Sequence, residues 1–320
     1  MSLMRLLRRI RRRAAFAVGR LRAPERRPPA PFVVGVPRSG TTLLRLMLDA
    51  HPALAIPPET HFLPKLIRLC QDAEARDVDA RGPALELLTE HRRWPDFGLE
   101  PDDVRVRLEG HGPLSPADAA RAFYEAYAAK NGKSRWGEKT PQYLKTMKRI
   151  GAAVPEAHFV HLIRDGRDVA LSLLAVSWGP STVEDAAVRW TSQIRRARRK
   201  ARSVAHYTEV RYEGLVADPE PIVRRVCEFL KLPFEPSMLD YHEGAAQRMG
   251  ALARDLDVGG GRPQIAAAER ASQHALTSEA PRTERAGRWR REMDPADVAV
   301  FERIAGPTLA ELGYELMEAK

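Results

Sequence analysis

Short apolar runs alternate with stretches of helical spacing along most of this chain. Phe32–Val36, His158–Ile163 and Tyr207–Tyr212 are short, apolar or alternating, and read as strands. Each gives way within a few residues to apolar positions at helical spacing, from Gly40 onward, over Asp165–Val176 and over Pro219–Leu230. Strand–helix repetition of this kind predicts a parallel sheet with both faces covered. Further helices are expected near 63–70, 82–92, 116–130, 141–152 and 183–204, and a last one over Pro295–Leu312. The fold class that follows is α/β, a three-layer α/β/α arrangement with a central parallel sheet. Ligands of such sheets bind beyond the C-terminal strand ends. The loops at 37–42 and 164–168 and the region near Tyr212 should therefore converge on one crevice.

Two segments break the pattern. Residues 244–280 are rich in Ala and Gly, with GGGR at 259–262. They read as a mobile loop over the site, or as an insertion without function. At the other end, Leu3, Leu6, Leu7, Ile10, Ala14, Ala17, Val18 and Leu21 fall on one side of a helix over 3–22, with arginines opposite. That arm fits a helix lying on an anionic membrane surface, or a solvated N-terminus that docks on a partner or on its own domain. ERRPPAP, Glu25 to Pro31, reads as a stiff linker. The organisation expected is an arm over 1–27 and one domain over 28–320.

Charge sharpens this division. The formal charge of +10 is concentrated in residues 1–27, whose ten arginines and single Glu25 give +9. The remaining 42 basic and 41 acidic residues leave +1, which does not support a general nucleic-acid footprint. Cys70 and Cys227 are the only cysteines and stand far apart, so a disulfide scaffold or thiolate zinc site is not expected. That usage fits a reducing, cytoplasmic setting, and the Ala- and Arg-rich composition fits a bacterial source. No apolar run reaches the length of a bilayer span, and arginines interrupt any secretory-type core near the N-terminus.

The candidate chemistry starts in FVVGVPRSGTTLLRLMLDAHP, Phe32 to Pro52. Gly35 and Gly40 bracket four residues as in the Walker A loop, but Thr41 stands where that loop has lysine. Backbone N–H groups and a helix N-terminus can still face phosphate oxygens. The lysine for a β/γ-phosphate is missing, and Arg38 supplies a cation inside the loop. A second polar cluster closes the apolar run of HFVHLIRDGRDVALSLL: Arg164 at the strand end offers bidentate phosphate recognition, and Ser172 lies two turns into the next helix. The competing reading pairs Arg164 with Asp165 or Asp168 to shape the turn.

Together with VRYEGLVADPEPIVRRVCEFL, these segments resemble the sulfotransferases that use 3′-phosphoadenosine-5′-phosphosulfate (PAPS), and look closest to the tyrosylprotein sulfotransferase branch and its bacterial relatives. The likeness covers residues 31–240 and, more loosely, 281–315. It implies a P-loop nucleotide-kinase-like sulfotransferase fold, PAPS as donor, its desulfonated form PAP as product, a hydroxyl acceptor and no metal. The family's 5′-phosphosulfate loop maps onto Arg38, Ser39, Gly40, Thr41, Thr42 and Leu43, with Arg38 at the sulfate-bearing end as a catalytic cation for charge on the bridging oxygen during in-line displacement, or merely as the holder of a bound anion. The 3′-phosphate ligands map onto Arg164 and Ser172, and Tyr212 matches a position beside the nucleotide. Glu59, in PPETHF, takes the place of the catalytic base, with His61 as its rival and a solvated cap as the bland alternative. Lys139, in RWGEKTPQYL, matches a lysine near the sulfuryl group, although a pair with Glu138 would also explain it. In APRTERAGRWRREMDP, Arg285, Gly287, Arg288 and Trp289 match the family's final nucleotide-covering segment, where a solvated charge run is the alternative.

Two other functions share parts of the pattern. A small-molecule or nucleotide kinase would share the strand–loop–helix architecture, but lacks support without the loop lysine. A non-catalytic, membrane-associated anion-binding protein would use the arm and loop alone, and gives no reason for Glu59 and Lys139. Departures from the tyrosylprotein branch, which works in an oxidising lumen behind a membrane anchor, leave the acceptor open among peptide tyrosine, glycan, lipid headgroup and small phenol. The membrane reading of the arm is tested by co-sedimentation with anionic liposomes. Binding should disappear when residues 1–27 are removed, and equal binding by both forms would refute it.

Overall fold

The computed structural model describes residues 27–110, 113–244 and 280–317. The expected arm helix over 3–22 and nearly all of the expected loop at 244–280 lie outside the described residues. The central sheet has four strands in the order β4-β1-β5-β6, where β1 is Ala30–Gly35, β4 Glu138–Lys139, β5 Ala157–Ile163 and β6 Tyr207–Arg211. All three pairings are parallel. A separate two-stranded ladder joins β2, Leu54–Ala55, to β3, Arg135–Trp136.

Strand alternation divides the core between the two faces. Ala30, Phe32 and Val34 of β1, with Phe159 and Ile163 of β5, join the larger apolar cluster. Val33 of β1, with Val160 and Leu162 of β5, joins the other. Such strands are buried on both sides, which is why they read as nearly continuous apolar runs. The smaller face is covered by α1 (Thr41–Asp49), α10 (Tyr212–Ala217) and α11 (Pro219–Phe229). On the larger face lie α2 (Leu63–Arg76), α3 (Arg81–Thr89), α4 (Trp94–Phe97), α5 (Pro101–Glu109) and α6 (Pro116–Lys130). It is completed by α7 (Met147–Ala153), α8 (Gly166–Leu174), α9 (Val183–Ala201), α12 (Trp289–Glu292) and α13 (Pro295–Glu311).

Local chemistry sets the helix starts. Ser115 Oγ accepts from Asp118 N at 3.1 Å, Thr182 Oγ1 from Asp185 N at 3.1 Å, and Asp294 Oδ1 from Ala296 N at 2.8 Å. Each supplies an acceptor for one orphan N–H of a first turn. The expected helix over 141–152 is in fact a 3₁₀ turn, Pro141–Lys145, followed by α7, because Thr146 at φ −122° interrupts the helical run. Tyr212 does not extend its strand but opens α10. Two-residue strands are too short to show a period, so β4 was not legible, although it forms the sheet edge.

Gly166 opens α8 in tight quarters. A Cβ there would lie 2.6 Å from Trp190 Cδ2 and 2.7 Å from Phe301 Cζ, side chains of α9 and α13. Gly166→Ala is therefore expected to lower stability by about 1–3 kcal/mol in denaturant unfolding. An unchanged midpoint would show that the two rings can yield without loss.

Candidate functional site

The chain leaves β1 at Gly35 and turns through Pro37–Gly40 into α1. Arg38 has φ 74° and Gly40 φ 91°, both left-handed. Gly40 also has no room for a side chain, since a Cβ would lie 2.4 Å from Cδ2 of Tyr212. The helix that follows has no side-chain cap, so its first turn can donate N–H groups to an anion. Ser39 Oγ is wholly buried without a hydrogen-bond partner, a donor that suits a phosphate oxygen. Thr41 is buried and Thr42 half-buried, whereas Leu43 packs into the smaller core cluster and has only its backbone to offer.

Arg164 follows β5 directly and reaches back to this loop. Its guanidinium donates to the carbonyl oxygens of Arg38 at 3.3 Å and Arg285 at 2.6 Å. It pairs with Asp168 at 3.3 Å and lies over the Tyr212 ring, 4.3 Å from the centroid. Its Nε is buried without a partner. Arg38 Nε donates to Ser172 Oγ at 2.9 Å, so the loop meets the segment that carries Arg164 and Ser172. Burial, then the nearby Arg164, Arg285 and Arg288, push the Arg38 guanidinium below its ordinary value. Arg285 is lowered likewise, by burial first and then by Arg288. Cations crowded in this way form a ready anion cradle.

The expected Arg164–Asp168 pair thus exists, while Asp165 goes to Arg167 at 2.7 Å. Asp168 does more than balance Arg164. Its two oxygens accept from Gly287 N and Trp289 N, each at 2.9 Å. Burial pushes the Asp168 carboxyl upward, opposed by Arg164 and by these two amides. Trp289 is buried beneath Arg167, 3.6 Å from the guanidinium carbon to the ring, and Arg167 also pairs with Glu302 at 2.6 Å. Gly287 and Trp289 therefore anchor the C-terminal segment, whose Arg285 carbonyl accepts from Arg164. Arg288 faces the cradle but donates to Glu292 at 2.6 Å.

A second polar group stands where α1 meets β4. Lys139 Nζ lies 2.9 Å from Glu59 Oε1 and 3.4 Å from Thr42 Oγ1. Glu59 Oε2 meets His61 Nε2 at 2.9 Å and Arg93 Nη2 at 3.9 Å. Burial would raise the Glu59 carboxyl, but Lys139, His61 and Arg93 outweigh it and hold the group well below the usual carboxylate range. Burial lowers the Lys139 ammonium, with Glu59 acting against that. His61 has φ 57°, and Phe62 N donates to Thr60 O at 2.7 Å, a tight turn that brings His61 onto Glu59.

One alternative reading of the sequence is not met. Lys139 pairs with Glu59 and not with its neighbour Glu138, which turns to the opposite side of the strand. Arg38 faces Ser172 and the other arginines, while Lys139 and, at longer range, Arg93 stand against the candidate base. Glu59 and His61 are not alternatives in space, since each touches the other. Sequence reasoning missed Arg93, Asp168 as an anchor, and the hydroxyls around Glu138. The charge density of IRDGRD was the one available signal for Asp168. Among the described residues, no group of three His, Cys, Asp or Glu side chains is arranged to hold a metal ion. Nor is any described helix long and apolar enough to cross a membrane.

Known proteins resemble this chain over most of its length. The Sulfotransferase family model matches residues 29–236. Protein-tyrosine sulfotransferase 1 of Danio rerio is 26% identical over 297 residues, covering 90% of this chain and 72% of that protein. The Drosophila melanogaster protein-tyrosine sulfotransferase is 26% identical over 299 residues, covering 91% of this chain but 52% of that protein, so the chain spans about half its length. The sulfotransferase domain from the Synechococcus PCC 7002 olefin synthase shares the fold, with a TM-score of 0.57 at 24% identity over 92% of this chain and 98% of that one. The family match spans well over half of the chain, and the chain therefore belongs to the sulfotransferase family, enzymes that draw their sulfuryl group from PAPS.

Proposed function

We propose that this enzyme transfers the sulfuryl group of PAPS to an acceptor hydroxyl, with Glu59 as base and Lys139 as the cation at the transferring group. The observation that carries the reading is the contact series Thr42–Lys139–Glu59, which ties the phosphate-loop helix to a carboxylate. The donor supplies an activated sulfuryl group. As the acceptor oxygen bonds to sulfur, the bridging S–O bond breaks and the acceptor proton passes to Glu59.

Arg164, Ser172 and Arg285 are assigned to the 3′-phosphate end, with Tyr212 beside the nucleotide. Ser39 Oγ and the backbone of Gly40–Leu43 are assigned to the 5′ end. Arg38, which bonds Ser172 here, belongs to the same loop and is assigned with Lys139 to the charge that develops on the transferring group. Guanidinium and ammonium groups carry the charge neutralisation, so the reading gives no role to metal. Glu59 is ionised but weakly basic while Lys139 holds it. An ammonium drawn toward the sulfuryl oxygens frees the carboxylate as the proton arrives. Peptide tyrosine is the acceptor favoured by the names of the animal relatives, with glycan, lipid and small phenol as the other acceptors to be tested.

Three outcomes test this. PAP should raise the melting temperature without metal, whereas stabilisation only by ATP with magnesium would point to a kinase. Arg164→Ala should weaken PAP binding by roughly 10- to 100-fold in calorimetry, the scale of hydrogen bonds to a charged group. Glu59→Gln should lower kcat by about 10²- to 10⁴-fold with PAP affinity kept, using radiolabelled PAPS and a panel of tyrosine peptide, phenol and glycan. Unchanged turnover would remove Glu59 as base.

The pH dependence has a defined sign. A depressed carboxyl contributes stability above its unfolded value, and that contribution is lost as pH falls through the lower folded value. Glu59 should thus impose no acid limb on kcat/KM between about pH 5 and 8. In Lys139→Ala, burial acts with less opposition, and the acid limb should move upward while kcat drops. A limb that stays put would mean that Lys139 does not set the basicity of Glu59.

A further inference from the structure

Hydroxyl groups converge on one buried carboxylate beside the Glu59–Lys139 pair. Glu138 is 1% exposed. Its Oε2 accepts from Tyr124 OH at 2.5 Å and Thr60 Oγ1 at 3.0 Å, and its Oε1 accepts from Thr140 Oγ1 at 2.5 Å. Thr140 Oγ1 in turn accepts from Thr60 N at 3.0 Å. Tyr143 OH accepts from Leu63 N at 3.0 Å and meets Thr60 Oγ1 at 2.8 Å, so its own proton is free to point at Thr60. Every donor is thus turned, directly or through Thr60, toward Glu138.

The arrangement is two rungs between the same two strands of chain. Successive strand residues project to opposite sides, so Glu138 enters the cage while Lys139 meets Glu59. Thr60 and Glu59 divide in the same way on the facing loop. One rung is Glu59–Lys139 and the other is Thr60–Glu138. The second rung is stiff, because Tyr124 stacks on Trp136 at 4.8 Å and 10° and packs edge-on against Phe123 at 5.1 Å. Pairing of the β4 residue Glu138 with Phe32 of β1 fixes the other side.

We propose that Glu138 is a positioning residue for sulfuryl transfer: by holding Thr60 it sets the distance and angle at which Glu59 faces Lys139. The proposal rests on the assignment of those two residues above. A buried carboxylate adds little net stability, since its desolvation offsets what the hydroxyls return. What it does supply is direction, because an acceptor of three donors locks the loop in one orientation. Burial pushes the Glu138 carboxyl up to about 7, against the pull of Thr140, Tyr124, Thr60 and Lys139.

The link itself can be cut without changing charge. Thr60→Val removes the hydroxyl and keeps the shape, and Thr60→Ser keeps the hydroxyl. In the full-length chain, the Glu59 carboxyl is followed by carbon-13 NMR titration, its signal identified by its loss in Glu59→Gln. Thr60→Val is expected to raise the Glu59 midpoint, as Lys139 slips away, and to lower kcat for a tyrosine peptide by about 10- to 100-fold. KM for PAPS and PAP affinity should stay within about twofold. Thr60→Ser should behave as the unmodified enzyme, and Glu138→Gln as Thr60→Val. A role in stability alone would lower the melting temperature and leave the Glu59 midpoint in place, and that result, or a serine variant as impaired as the valine one, overturns the proposal. If Glu59→Gln turns over normally the functional reading fails, and the NMR midpoint still decides the cage.

Discussion

Parallel pairing of β1 with β5 on one side and with Glu138–Lys139 on the other is the constraint on which this structure depends. The register Val33↔Lys139 and Gly35↔Leu162 brings all of the chemistry to one edge. Beyond that edge lie the turn Pro37–Gly40, Arg164, Tyr212 and Thr140, each a residue or two past a strand end. Parallel strands can deliver loops in this way because every C-terminus points the same direction. An antiparallel edge strand would have sent Lys139 to the far end of the sheet.

Close packing then converts that convergence into a site. Gly40 lets the Tyr212 ring lie against the loop, and the same ring supports the Arg164 guanidinium. Arg164 in turn binds the backbone of Arg38 and of Arg285, so it ties the loop to the C-terminal segment. Asp168 completes the tie through the amides of Gly287 and Trp289. The functional edge of the sheet is thus held together by polar contacts that tie the loop, β5 and the C-terminal segment to one another.

Much of this was legible in the sequence, and the reasons differ by residue. β1 and β5 are buried on both faces, so their apolar runs stand out, and the loop after β1 carries its own glycine spacing. Arg164 and Ser172 are separated by two helical turns, a local spacing that sequence preserves. The rest depends on distant partners. That Arg38 would reach Ser172 follows from its left-handed φ of 74°, which no residue type announces. Glu138 looked like a partner for Lys139 because they are adjacent, yet strand pleating separates adjacent side chains. β4 itself, two residues long, has no period to read. The Asp168 anchor lies more than a hundred residues from its amide partners, and only the fold joins them.

The crowding of cations carries one more physical consequence. Arg38, Arg164, Arg285 and Arg288 act on one another in a region where the buried Asp168 pairs with Arg164. Like charges gathered in low dielectric raise the free energy of the protein without a bound anion. An anion that binds there relieves the repulsion and also gains hydrogen bonds, so the two effects act in the same direction. Asp168 limits the repulsion by pairing with Arg164 and, through the same carboxylate, holds the segment that brings Arg285. Segment ordering and anion binding are therefore linked through one carboxylate. Whatever strengthens the hold of Asp168 on Gly287 and Trp289 adds cationic charge to the crevice, and anion binding must by linkage strengthen that hold in return.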